Sequence, residues 1–144
     1  MKIYYREKSG GIEILRCFGI EGRVEIPGMI DGKLVISAVP YAFSSHMDEK
    51  EDLKNASLWE VSEGLGFGRE EHVLAGNDVE EIVFPYTLKE IGRYIFYGCG
   101  NLKKLEFSDS LMQIGCGAFT GCHALEKLTV HMRQGKKSGV KEML

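Results

Sequence analysis

Two consecutive 23-residue segments, VEEIVFPYTLKEIGRYIFYGCGN (79–101) and LKKLEFSDSLMQIGCGAFTGCHA (102–124), align without a gap, and a third begins as LEKLTV at Leu125. Ile82, Leu105 and Leu128 correspond, as do Phe84, Phe107 and Val130. Leu88 then matches Leu111, Ile91 matches Ile114, Gly92 matches Gly115, Phe96 matches Phe119, Gly98 matches Gly121 and Cys99 matches Cys122. A period in this range belongs to stacked coils, because one such unit has too little apolar surface to fold alone and buries it against its neighbours. Within each unit a short run alternates. Leu128 and Val130 are apolar between the polar Lys127 and Thr129, which is the two-residue period of a strand with one buried face. The phenylalanine of each unit is expected to fill the inside of its coil, with a turn glycine after it.

Upstream the pattern loosens. In VEIPGMIDGKLVISAVPYAF (24–43), Val24, Ile26 and Pro27 stand for Ile82, Phe84 and Pro85, and Phe43 stands for Phe96, with five more residues between Ile26 and Phe43 than between Phe84 and Phe96. The stretch 57–82 reads as a worn unit that starts at Leu58 and Val61, with Val73 in the place of the phenylalanine. Residues 44–56 then form a polar insertion. At the N-terminus two alternating apolar runs flank Ser9-Gly10-Gly11, a hairpin signal. The expected organisation is one domain over 1–144: an N-terminal cap (1–23), repeats (24–130) with the insertion near 44–56, and a tail or cap (131–144).

The segments IPGMIDGKLVISAVPYAF, IVFPYTLKEIGRYIFYGCGNLKKLEF and LMQIGCGAFTGCHALEKLTV resemble the BspA-like class of bacterial leucine-rich repeat, with its I-P, I-G-x-x-A-F-x-G-C and L-x-x-I elements. The likeness runs over about residues 12–130 and is strongest in 79–130. It implies an α/β fold: a right-handed leucine-rich-repeat solenoid, a short horseshoe with a ladder of short parallel strands on one face and turns or short helical pieces on the other. It also implies a non-enzymatic protein that binds other proteins, in a family common on the surface of host-associated bacteria.

Charge narrows the partner classes. Residues 48–81 hold eleven acidic and three basic side chains, although the whole chain carries only −3. A sequence pI near 5.8 and a mixed-sign surface do not make the basic stripe that nucleic acid requires. No apolar run approaches the roughly 20 residues that span a bilayer, and the start MKIYYREKSGG places charges where an export signal has its apolar core. A cytoplasmic protein is expected on this reading, or a piece of a longer exported chain.

The stretch IGCGAFTGC (114–122) invites three chemical readings. As a dinucleotide loop it fails, because Gly121 follows Gly117 one residue too late and the equivalent of Gly117 is Tyr94. As a metal site it lacks paired ligand spacing: Cys116 is matched by Arg93, and Cys99 has Gly100 where Cys122 has His123. As a disulfide, Cys99 and Cys122 on stacked coils would be close enough, but their Cβ vectors run parallel instead of converging. Four reduced thiols, mostly buried, are therefore expected, with no metal and no cofactor. None of His46, His72, His123 and His131 sits in a nucleophile–base motif, and the chain is read as not an enzyme.

What remains is the outward side of the strand ladder. One column is expected to run Arg23, Glu60, Glu81, Lys104, Lys127 and the next Glu25, Ser62, Val83, Glu106, Thr129. The candidate partner-binding residues on this concave face are Arg23, Glu60, Glu81, Val83, Lys104, Glu106, Lys127 and Thr129. The expected function is a protein-interaction module. Its rivals are a structural repeat protein that associates with itself through an exposed terminal coil, and a cysteine-dependent enzyme.

Overall fold

A computed structural model describes residues 1–46, 53–61, 72–74 and 78–132 of the chain. Its centre is a ladder of four parallel strands, β3 (Arg23–Glu25), β8 (Glu81–Val83), β10 (Lys104–Ser108) and β12 (Lys127–His131), one from each of four coils. The register is the one the repeat dictates: Val24 lies beside Ile82, Ile82 beside Leu105, and Leu105 beside Leu128. A second parallel ladder runs along the next side of the coils. It joins β2 (Gly11–Gly19), β5 (Lys33–Ala38), β9 (Glu90–Ile91) and β11 (Gln113–Ile114), with Ile14, Ala38, Ile91 and Ile114 in one row.

The coils are filled by aromatic rings in rows. Phe84 stacks on Phe107 at 5.2 Å, Phe96 on Phe119 at 5.9 Å, and Phe43 packs on Phe96 at 6.1 Å. Glycine sets how closely the coils approach. A Cβ on Gly92 would lie 2.3 Å from the Pro40 backbone nitrogen, and one on Gly115 would lie 2.2 Å from that of Arg93. Gly115 is thus a residue of close contact between coils.

The described residues contain no helix, so the α component of the expected α/β class is corrected: the coils are a β-solenoid whose far side is made of turns. The reason lies in where the amides point. Tyr94, Phe96 and Gly98 donate their N–H groups to the carbonyls of Cys116, Ala118 and Thr120 in the next coil, at 3.1, 3.2 and 3.1 Å. Alternate amides committed between coils cannot also form the i→i−4 bonds of a helix. The amides between them close isolated turns, Tyr97 N–H to Tyr94 and Cys99 N–H to Phe96, both at 3.0 Å.

The worn unit expected over 57–82 is also corrected. β3 pairs directly with β8, so no coil from that stretch lies between them. Instead β6 (Ser57–Glu60) runs antiparallel to β1 (Lys2–Lys8), with Trp59 opposite Ile3, and β7 (His72–Val73) runs antiparallel to β2. The five extra residues of the first coil form a hairpin of β4 (Met29–Ile30) and β5, turning through Asp31 and Gly32 at φ 51° and 73°. Asp-Gly between two apolar runs is a strong hairpin signal. Residues 47–52 of the insertion near 44–56 and residues 133–144 of the tail lie outside the described residues.

The expected N-terminal hairpin is present. β1 and β2 turn through Ser9 and Gly10, both with positive φ, and β2 is buried almost throughout between β1 and β5. Such burial traps a carboxylate, Glu13. It accepts hydrogen bonds from Arg6 Nε at 2.8 Å, Lys8 Nζ at 3.0 Å and Ser37 Oγ at 3.0 Å, and Lys8 also reaches Glu90 at 3.1 Å. Cap, first coil and second coil are joined through this cluster. Burial alone would push the Glu13 carboxyl up, but the bonds from Lys8, Arg6 and Ser37 outweigh it and hold the carboxyl below its ordinary value.

Two predictions follow from this packing. Phe96 is fully buried while Phe119, on the last described turn of the "AF" row, is only half-buried. Phe96→Ala should therefore cost about 3–5 kcal/mol in urea unfolding, and Phe119→Ala should cost clearly less; equal losses would contradict the burial gradient. Because the folded state lowers the Glu13 carboxyl, the unfolded chain takes up its proton first as pH falls. This part of the stability is complete above the ordinary carboxylate range and is lost as pH drops through the lowered value. A thermal melt series should show Glu13→Gln flattening that acid limb, and an unchanged pH profile would count against the cluster.

Candidate functional site

Strand alternation builds the face. Val24, Ile82 and Leu105 point into the core and are about 1% exposed, so the residues immediately before and after each of them point out together. The register aligns Arg23, Glu81, Lys104 and Lys127 in one column and Glu25, Val83, Glu106 and Thr129 in the next. These are seven of the eight residues expected from the sequence, with Glu25 beside them. The eighth, Glu60, stands apart: it lies on β6 against Lys2 of the cap, 3.9 Å away. Its expected place in the column is corrected, and Ser62 lies outside the described residues. β10 and β12 continue two residues beyond the expected columns and add Ser108 and His131 to the face. The same alternation, followed two positions further, would have found them.

Charge on this face is neutralised unevenly. Arg23 pairs with Glu25 on its own strand and lies 3.4 Å from Glu81 on the next. At the other end Glu106 faces His131 at 3.6 Å. Lys104 and Lys127 are directly in register, both exposed, and among the described residues neither has an ion-pair partner. Val83 contributes a half-buried apolar spot between the charged groups.

The turn side carries a cluster that the sequence reading missed. Tyr41 and Tyr94, in equivalent positions, stack at 5.6 Å, and Tyr97 and His46 meet Tyr41 edge-on at 6.1 and 5.1 Å. Both stacked tyrosines have positive φ, 61° and 51°, where the third coil has Gly117 at 67°. A Cβ on Gly117 would lie 2.2 Å from the Tyr94 ring. The glycine that suggested a phosphate loop instead makes room for the ring of the coil below. A hollow of about 440 Å³ is lined by residues 114–120 of this coil.

The four thiols are free. Cys99 Sγ donates to the Phe43 carbonyl at 3.0 Å, and Cys122 Sγ donates to the Phe96 carbonyl at 3.3 Å, one coil further on. Burial pushes the Cys99 thiol up to about 12 and the Cys122 thiol up to about 11, and it raises Cys17 as well. Cys116 is exposed, so the thiols are less uniformly buried than the period suggests. Among the described residues no group of three His, Cys, Asp or Glu side chains stands close enough to hold a metal ion, and no helix is long and apolar enough to cross a membrane.

Residues 70–138 match a protein-family model described as the BspA type leucine rich repeat region (6 copies). Among solved structures the chain is similar to a leucine rich cell surface protein from Faecalibacterium prausnitzii A2-165. The TM-score is 0.57 and the identity 20%, over 90% of this chain and 30% of that one. A leucine rich repeat protein of T. pallidum aligns over 90% of this chain and 83% of that one, at 16% identity and a TM-score of 0.49. The chain therefore spans 30% of the length of the first of these proteins, and the likeness is one of fold. No curated protein matches the sequence.

Thiol labelling provides a direct check on the coil geometry. In the native protein Ellman's reagent should react promptly at Cys116, slowly at Cys122, and at Cys17 and Cys99 only on unfolding. Fast reaction of Cys122 would overturn its place as a hydrogen-bonded rung.

Proposed function

We propose that this chain, whose residues 70–138 match the BspA type leucine rich repeat model, is a non-catalytic interaction module that binds another protein on its parallel strand face. The observation that carries the reading is the face itself. Four strands in register present Arg23, Glu25, Glu81, Val83, Lys104, Glu106, Lys127 and Thr129 as one surface of mixed charge with an apolar spot at Val83. A rigid backbone ladder holds these side chains at fixed spacing, which keeps the ordering cost of association low. The thiols support the non-catalytic part of the reading, since Cys99 and Cys122 are raised by burial and engaged by backbone carbonyls. A second reading, self-association, draws on the last described coil, where Phe119, Leu128 and Val130 are half-buried while Phe96, Leu105 and Phe107 are fully buried.

One experiment separates these readings. Tagged wild-type protein, a Val83→Arg/Glu106→Arg variant of the face and a Met112→Ser variant away from it are used as baits, with an untagged copy of the chain added. A foreign protein retained by wild type and Met112→Ser and weakened about tenfold or more by the face variant is the expected outcome. Equal retention by all three baits would refute the face, and recovery of the untagged copy alone would favour self-association.

A further inference from the structure

We propose that Lys104 and Lys127 form a clamp for a carboxylate of the protein partner, an aspartate or glutamate side chain laid across the strand face. This rests on the reading of that face as the binding surface and names what it recognises. The two lysines are Cα partners on adjacent parallel strands, so their side chains leave the sheet side by side in the same direction. Like charges directly opposite one another weaken a sheet. Elsewhere in the column the chain avoids this, since Arg23 is followed by Glu81, 3.4 Å away. Glu81, the register neighbour of Lys104 on the other side, lies 3.4 Å from Arg23, and Glu106 lies 3.6 Å from the His131 ring. Among the described residues neither lysine forms an ion pair, so two exposed ammonium groups stand side by side. A carboxylate has two oxygens and accepts from both ammonium groups at once in charge-assisted hydrogen bonds.

The surroundings select the kind of anion. Glu25, Glu81 and Glu106 share the face with Arg23, Lys104 and Lys127, so a polyanion laid along it meets as many acids as bases. A single carboxylate avoids them. Beside the clamp stand the apolar Val83 and the hydroxyl of Thr129, which suit an ordinary peptide carrying a spaced acid. Steering by such a pair contributes more to specificity and association rate than to affinity.

The strand geometry also provides a test that separates binding from stability. Lys127→Glu makes the column alternate in sign from end to end. It should raise the melting temperature by about 1–4 °C while weakening an acidic ligand about tenfold. The probes are acetyl-Glu-Val-Glu-amide, its Gln-Val-Gln twin and a heparin oligosaccharide, titrated into ¹⁵N-labelled full chain at low and at high salt. The expected result is shifts of the amides at 104–106 and 127–129 with the glutamate peptide, fading with salt and absent with the glutamine twin. Lys127→Glu should lose the response, and Lys127→Gln should weaken it with the fold intact. Equal response to both peptides, no response at those amides, preference for heparin, or unchanged binding by Lys127→Glu each overturns the clamp. Shifts elsewhere on the strand face would overturn the clamp but leave the face, whereas shifts away from it would overturn both.

Discussion

Everything in this molecule depends on backbone hydrogen bonds that run from coil to coil. A parallel ladder fixes the vertical spacing at about 4.8 Å, and two such ladders meet in each coil. The turn side obeys the same spacing through Tyr94, Phe96 and Gly98, whose amides reach the next coil. Once the backbones stack this closely, side chains at equivalent positions have no choice but to stack too. The phenylalanine rows, the thiol donors at Cys99 and Cys122, and the charge columns of the outer face are all consequences of one repeat distance. The glycines at 92 and 115 are the concession that makes it attainable, since a Cβ there would enter the neighbouring backbone.

How much of this was legible in the sequence follows from which interactions are periodic. The register Ile82, Leu105, Leu128 could be read directly, because in a solenoid the sequence period and the spatial neighbour relation are the same thing. So could seven of the eight face residues. Segment 57–61 could not. Leu58 and Val61 look like the start of a worn repeat, yet β6 pairs antiparallel with β1 more than fifty residues away. Long-range antiparallel pairing leaves no periodic mark, and three or four alternating residues satisfy either arrangement. The short helical pieces suggested by the family likeness are absent among the described residues for a different reason: the inter-coil demand on alternate amides is invisible to residue type.

The two ends of the solenoid are built unequally. At the N-terminal end the hairpin covers the first coil, and its lock is polar: Arg6 and Lys8 reach a carboxylate that would otherwise be a costly buried charge. At the other end Ile114, Phe119, Leu128 and Val130 are each less buried than their counterparts one coil earlier. Charge is also distributed unevenly along the face, with Arg23 held between Glu25 and Glu81 at one end and Lys104 beside Lys127 at the other. Among the described residues, apolar burial and ion pairing are thus both less complete at the last described coils than at the first.

The pairing of Trp59 with Ile3 has a practical consequence. It is the only tryptophan in the chain, and it belongs to the strand that fastens onto the cap rather than to any coil. Its emission is therefore a gauge of cap docking, while the tyrosine stack of Tyr41 and Tyr94 reports, in the near-ultraviolet circular dichroism, on the coils. The protein carries two optical labels at two ends of one continuous sheet, and whether they fade together or in turn measures how tightly the β2–β5 pairing and the Glu13 cluster couple cap to coils.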